Sequence, residues 1–368
     1  MLIAQMSKPG YDEKLLFRGI TGITIGGVQQ QWTLKDSGTF NQQSAPISIA
    51  LPIGNRILFM ATNSVAYTKF DTTRVQGFTD TRVSLSYILP GDKFWLTAGA
   101  SFPTGKTQLA SQELRLMTTI SQTALGYHVP VFGQGLNGNL GLAYATSLAR
   151  RVVIGLGTSY SYKGKYEPIT DAGSTTKIEY DPGDEVSGNI GLDYITFSKT
   201  ARVSIDITGT YFFEDKLSGQ KIFQSGSRIM GFFVYALKAG DASHMLNVRS
   251  RYRLQNTFYD ATTTTKYDAT SQVEGQYTFT IPLNSWLVGS AVGELKYYTP
   301  DQIPLGGEII ETGKAIVGSF GPDFLFIING SIITPMVNLR YSMGTVTIDG
   351  AAKDVNGFEA GIGLKISF

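Results

Sequence analysis

Three arginines, Arg249, Arg251 and Arg253, stand at spacing two. In an extended strand that spacing puts all three on one face, about 7 Å apart along the chain. The alternate positions are Leu246, Val248, Tyr252 and Leu254, so the arginines face away from an apolar surface. Acidic partners stand at Glu274 and Glu294 in the next two segments, and Asp206 lies near Arg202. Two chemistries are open: a basic ladder that steers anionic solutes, or an Arg–Glu network that neutralises itself and stiffens a wall. Catalytic chemistry has little to work with. The two histidines, His128 and His244, have no serine and acid at useful spacing. Without cysteine there is no thiolate metal site and no disulfide. The acids at 181–184 and 349–354 lie among Gly and Asn and read first as solvated loops, with weak calcium binding as the alternative. The expectation is a protein that is not an enzyme, with no cofactor and no assigned metal site.

The elements that would carry the arginines follow from composition and period. Charged residues make up 16 % of the 368 residues, against roughly 25 % in a soluble domain. The net charge of +2 gives no basic bias toward nucleic acid. Glycine is abundant at 42, with 19 tyrosines and 21 phenylalanines. There is no apolar run long enough for a transmembrane helix. Instead, apolar and polar residues alternate over stretches of about ten residues, the length of a membrane-crossing strand. Val203, Ile205, Ile207 and Tyr211 alternate with Arg202, Ser204, Asp206 and Thr210; Val273, Tyr277, Phe279 and Ile281 alternate with Gln272, Glu274, Gln276 and Thr280. Small polar residues on one face and apolar residues ending in tyrosine on the other suit a wet interior and a lipid-facing exterior.

The connections sort by length. Short turns fall near Gly54–Asn55, Gly91–Asp92, Ala149–Arg150, Ser198–Lys199, Gly240–Asp241, Asn284 and Asn329–Gly330. Longer ones alternate with them: Phe70–Asp80, Pro103–Asn137, Lys163–Glu185, Glu214–Ser227, Tyr259–Thr270, Tyr298–Gly313 and Thr345–Gly357. The pattern predicts an all-β, transmembrane, antiparallel up-and-down β-barrel of about 16 strands, with roughly 14 as the alternative. It would occupy 17–368, after an N-terminal periplasmic segment at 1–16. Phe358, Ala360, Ile362, Leu364, Ile366 and Phe368 share one face of the last strand. A closing aromatic strand resembles the segment by which bacterial outer-membrane barrels are handed to their assembly machinery, which makes that machinery an expected partner. Met1–Tyr11 has no apolar stretch of signal-peptide length, so the reading favours a chain that starts after a cleaved leader. Tyrosines near strand ends, with Trp95 and Trp286 near short turns, would form the interfacial belts.

The loop at 103–137 is about 35 residues long, a length usually functional or disordered. Leu114, Met117, Ile120 and Leu125 recur near helical spacing, with Tyr127 and His128 following. Such a loop could fold into the barrel mouth and offer apolar surface to a ligand, or simply pack on the rim.

Three segments carry a resemblance. They are Gly77-Phe-Thr-Asp-Thr-Arg-Val-Ser-Leu-Ser-Tyr87, Leu96-Thr-Ala-Gly-Ala-Ser-Phe-Pro-Thr-Gly-Lys106 and Gly133-Gln-Gly-Leu-Asn-Gly-Asn-Leu-Gly-Leu-Ala-Tyr144. Together they resemble the outer-membrane proteins linked to the meta-pathway of phenol degradation, distant relatives of the long-chain fatty-acid and aromatic-hydrocarbon transporters. The resemblance implies a channel for poorly soluble organic molecules in a Gram-negative outer membrane. In those transporters a broken strand opens a side exit to the lipid; Pro335, mid-strand here, is the candidate for such a break. The leading expectation is passive uptake of small hydrophobic or aromatic molecules, with outer-membrane lipid and small organic solutes as partners. A general porin for polar or anionic solutes is the first alternative, and a barrel that encloses or holds a partner protein the second.

Overall fold

The computed structural model describes residues 22–106, 108–110, 113, 116, 123–126, 135–167, 178–196, 200–260, 263–305, 308–348 and 350–367. Along the first part of the chain run β1 (Gly22–Leu34), β2 (Gly38–Ile53), β3 (Ile57–Phe70), β4 (Thr73–Phe78), β5 (Thr81–Ile88), β6 (Phe94–Phe102), β7 (Asn137–Ala149) and β8 (Val152–Tyr162). Next come β9 (Tyr180–Asp181), β10 (Glu185–Ile195), β11 (Ala201–Phe212), β12 (Glu214–Leu217), β13 (Gln220–Gln224), β14 (Arg228–Ala239), β15 (Ala242–Arg253) and β16 (Asn256–Tyr259). The remainder holds β17 (Thr264–Tyr267), β18 (Thr270–Pro282), β19 (Leu287–Tyr298), β20 (Asp301–Leu305), β21 (Glu308–Thr312), β22 (Ala315–Phe326), β23 (Ile333–Ile348) and β24 (Ala351–Ile366).

Sixteen of these close an antiparallel barrel. Each wall strand pairs with the next wall strand in sequence, and β24 returns to β1 with Ile23 opposite Ile366 and Leu34 opposite Val355. Closure leaves no exposed sheet edge, which is what permits strands to cross a bilayer. The two faces differ as the period of two requires. Val186, Ile190 and Leu192 of β10 and Ile205, Ile207 and Tyr211 of β11 point outward and are exposed. Ser187 and Thr210 point inward and share a hydrogen bond of 2.9 Å. Leu140, Leu156, Leu295, Phe320 and Ile362 extend the outward apolar set around the wall. A continuous apolar belt of this kind is the surface that a bilayer covers.

Two of the expected long connections are strand that extends the wall sheet itself. Thr73–Phe78 alternates and pairs with the upper part of β3, turning Val75 into the interior. β23 and β24 pair as far as Ile348 and Ala351, so 345–357 is an extended hairpin rather than a loop. Trp95 also departs from expectation. Its neighbours Phe94 and Leu96 point outward, so its ring turns inward and packs with Ala50, Leu58 and Ile88 near the short turns. Trp286 does lie outside, stacked on Phe326. The segment 1–16 is outside the described residues.

Beyond the wall, at the long-loop end, β9, β12, β13, β16 and β17 form a small antiparallel sheet. Phe223, Phe258 and Tyr267 pack ring to ring across it. Tyr180 donates to Asp215, which also accepts from the Gly183 amide at 2.7 Å. Burial pushes the Tyr180 phenol and the Asp215 carboxyl above their ordinary ranges, and the carboxylate beside it raises Tyr180 further.

Candidate functional site

The interior has two unlike sides. On one, Leu109, Leu116, Ala124 and Leu125 from the loop after β6 pack against inward residues of the wall. Their neighbours are Trp32 and Leu34 of β1, Phe40 of β2, Val75 of β4, Tyr298 of β19, Val317 of β22, Val346 of β23 and Val355 of β24. Leu109 and Leu125 are each 1 % exposed. These wall residues sit at the long-loop ends of their strands, so the four described loop residues lie inside the mouth of the barrel. Below it a polar layer begins. Gln30 donates to Glu359 at 2.7 Å and to the Gly126 carbonyl at 3.4 Å, and Asn338 donates to Glu359 at 3.0 Å. The layer ties the loop's end to β1, β23 and β24.

The other side is charged. The β14–β15 register sets Arg228 opposite Arg253, Met230 opposite Arg251 and Phe232 opposite Arg249. On β15 the alternation puts Tyr252 and Leu254 outside and these arginines inside. Continuing along the wall, Arg249 stands opposite Glu274 of β18, and Glu274 opposite Lys296 of β19. The Arg249–Glu274 ion pair is long, at 3.7 Å, and Lys296 reaches Glu294 at 3.4 Å. Arg253 is paired with Asp301 just beyond the wall. Arg249 lies over the Phe232 ring at 5.8 Å and Arg228 over Phe212 at 5.0 Å. Tyr298 joins the two sides: its ring belongs to the apolar cluster, and its hydroxyl donates to Glu274 at 2.5 Å.

Two arginines elsewhere in the lumen are held by the protein's own acceptors. Arg202 donates twice to Asp193, at 2.6 and 3.1 Å, and Ser204 donates to the same carboxylate. Arg202 thus takes Asp193, and not Asp206, as its partner. Arg340 takes Asp323 at 2.9 Å and the carbonyls of Leu339 and Pro322 at 2.8 and 3.2 Å. That last group fills a gap in the wall. β22 and β23 pair up to Phe320–Tyr341 and resume at Asp323–Asn338, leaving Gly321 and Pro322 without partners on β23, while both stay paired with β19. A side chain at Gly321 would meet the Leu339 carbonyl at 2.0 Å, so only glycine allows this approach. A second interruption lies between β1 and β2 at Pro46, opposite Gly26. Pro335 pairs with Leu364 inside an uninterrupted β23–β24 register.

Of the residues singled out from sequence, Arg249, Arg251, Arg253, Glu274, Glu294 and Asp206 all lie on lumen-facing positions of neighbouring strands. Leu125 is in the apolar cluster. Leu114, Met117, Ile120, Tyr127 and His128 lie outside the described residues, as does Phe368. Sequence reading passed over Leu109, Leu116 and Arg228. For Arg228 the signal was available, since a turn at Gly240–Asp241 fixes the register that sets it across from Arg253.

No family model and no curated protein matches this chain. Solved structures do. A bacterial polysaccharide outer membrane secretin aligns at 10 % identity over 95 % of this chain and 99 % of its own, with a TM-score of 0.47. The deltaS2S3 mutant of the TodX monoaromatic hydrocarbon channel aligns at 9 % identity over 99 % and 94 %, with a TM-score of 0.45. OmpF of Salmonella typhi, in complex with daunomycin, aligns at 9 % identity over 93 % and 96 %, with a TM-score of 0.41. Likeness at this level does not carry a substrate from any of them to this chain.

Proposed function

We propose that this chain is a channel of a Gram-negative outer membrane that admits small hydrophobic or aromatic molecules by passive diffusion. One observation supports the reading above the others. The mouth of the barrel holds a dry apolar cluster, built from Leu109, Leu116 and Leu125 against Trp32, Phe40 and Val317. A porin for polar solutes gains nothing from burying leucines where its solutes enter, whereas an apolar solute can exchange with them at little cost. Capture would occur at this cluster, and displacement of the loop would open the way inward.

Two measurements test the reading together. In a planar bilayer the protein should pass little ion current. In cells with a lipopolysaccharide outer leaflet, its expression should raise uptake of labelled toluene above that of an empty vector. A large, steady ion current without added toluene uptake would overturn the proposal and leave a general porin.

A further inference from the structure

We propose that the wall between β14 and β15 holds an anion site, in which Arg228 and Arg251 take the carboxylate of a small organic acid with an apolar body. The inference rests on the channel reading and narrows its substrate class.

The argument begins with an arrangement that folding alone does not favour. Like charges directly across an antiparallel pair destabilise it, yet Arg228 faces Arg253, with Arg251 one step further along the same face. Arg249 follows, so four guanidinium groups share two strands. Their partners are unevenly distributed. Asp301 holds Arg253, and Glu274 lies within reach of Arg249. Among the described residues no carboxylate stands at ion-pair distance from Arg228 or Arg251. The Nε groups of Arg228, Arg251 and Arg253 are shielded from water and have no hydrogen-bond partner. Donors left in this state are normally matched by an acceptor. Guanidinium forks suit a planar carboxylate, which can accept from two of them at once.

The surroundings select the rest of the ligand. Met230 and Phe232 share the inward face of β14 with Arg228, and Phe212 lies under the Arg228 guanidinium. Tyr298 stands in line with Arg251 two strands along the wall, through Gln272. An inorganic anion would use the charges and leave these apolar groups idle. An aromatic or aliphatic monocarboxylate would use both.

Calorimetry on the whole protein in detergent tests this directly, with benzoate, benzyl alcohol and inorganic phosphate as probes. Benzoate should bind, and the double variant Arg228→Gln with Arg251→Gln should weaken it at least about tenfold, the value of one lost charge-assisted hydrogen bond. Benzyl alcohol, of the same shape without charge, should not respond to the variant. Arg251→Lys keeps the charge and loses the fork, and should weaken benzoate by less. Lys238→Gln, on the same strand near the short turns, should leave benzoate binding unchanged. Equal benzoate affinity in wild type and both arginine variants would overturn the site. Phosphate binding as tightly as benzoate would overturn the organic acid. Because binding is read in detergent, the result stands apart from flux: toluene uptake with no benzoate binding would sink this inference and leave the channel, while benzoate binding with no uptake would do the reverse.

Discussion

The two sides of the lumen solve the same problem in opposite ways. Both line a barrel whose strands must place every second side chain inside. On the side of β1, β2 and β22–β24 the mouth is filled by residues of the protein's own loop, and the lumenal charges Glu359 and Arg340 are both held by hydrogen bonds. Glu359 accepts from Gln30 and from Asn338, and Arg340 is held by three acceptors. On the side of β14 and β15, cations are set against cations, and among the described residues two have no carboxylate at ion-pair distance. The first wall is arranged as a folded core is. The second has the unmatched donors of a surface that awaits a solute. The difference teaches that barrel stability and solute chemistry are divided between walls, and not spread around the lumen.

The largest effect should come from forcing the filled side open. Leu125→Asp replaces a side chain that is 1 % exposed with a carboxylate inside an apolar cluster. The lost packing alone is about 2–5 kcal/mol, and an unpaired charge adds to it. The wall does not depend on this residue, so the loop should leave while the barrel stays closed. Trypsin should then cut the 106–136 segment rapidly, and ion current in a planar bilayer should rise sharply. Leu125→Met should do neither. A variant that keeps its loop protected and its current small would show that the two walls are not distinct in the way described.

The barrel itself was legible because its signal is repeated. Period-two alternation, sorted loop lengths and the closing strand all speak of one architecture, and each of sixteen strands restates it. The lumen was legible only where a strand pattern carried it. Arg249, Arg251 and Arg253 could be placed inside because Leu246, Val248 and Leu254 must lie outside. The loop had no such frame. Leu109 and Leu116 belong to no strand of the barrel, so no period of two says which way they point. Ion-pair partners were hidden for a related reason. Arg202 chooses Asp193 across the β10–β11 register, and that choice depends on which lumenal strips face one another. Thr73–Phe78 reads as loop and Trp95 as an interfacial residue because short stretches near turns look alike whether they point in or out.

A smaller effect compares the same substitution on the two walls. Arg340→Ala removes the group that bridges the interruption of the β22–β23 ladder at Gly321–Pro322 and leaves Asp323 and two carbonyls without that donor. Losing those bonds should cost about 1–3 kcal/mol, read as a lower denaturant midpoint for barrel unfolding. Arg251→Ala should have the opposite sign. It relieves repulsion from Arg249, Arg228 and Arg253 and should stabilise the barrel by up to about 1 kcal/mol. Destabilisation by Arg251→Ala equal to that of Arg340→Ala would mean that Arg251 is a structural residue with a native partner.

The finest test is the link between the walls. Tyr298 packs in the apolar cluster and donates to Glu274, which also faces Arg249. Tyr298→Phe keeps the ring and deletes the donor, at an expected loss of about 1 kcal/mol. Its partner is then left with Arg249, 3.7 Å away, and with Lys296 directly across the β18–β19 register. If the hydroxyl couples loop and charge, Glu274→Gln should also raise trypsin cleavage of the loop, though Glu274 touches none of the described loop residues. In a Tyr298→Phe background the same Glu274→Gln change should have no further effect on the loop. A double-mutant cycle should give a coupling of at least about 0.5 kcal/mol, the level above which distant sites are no longer independent. Strict additivity would mean that the walls act separately, and that solute bound by the arginines has no route through Tyr298 to release the loop.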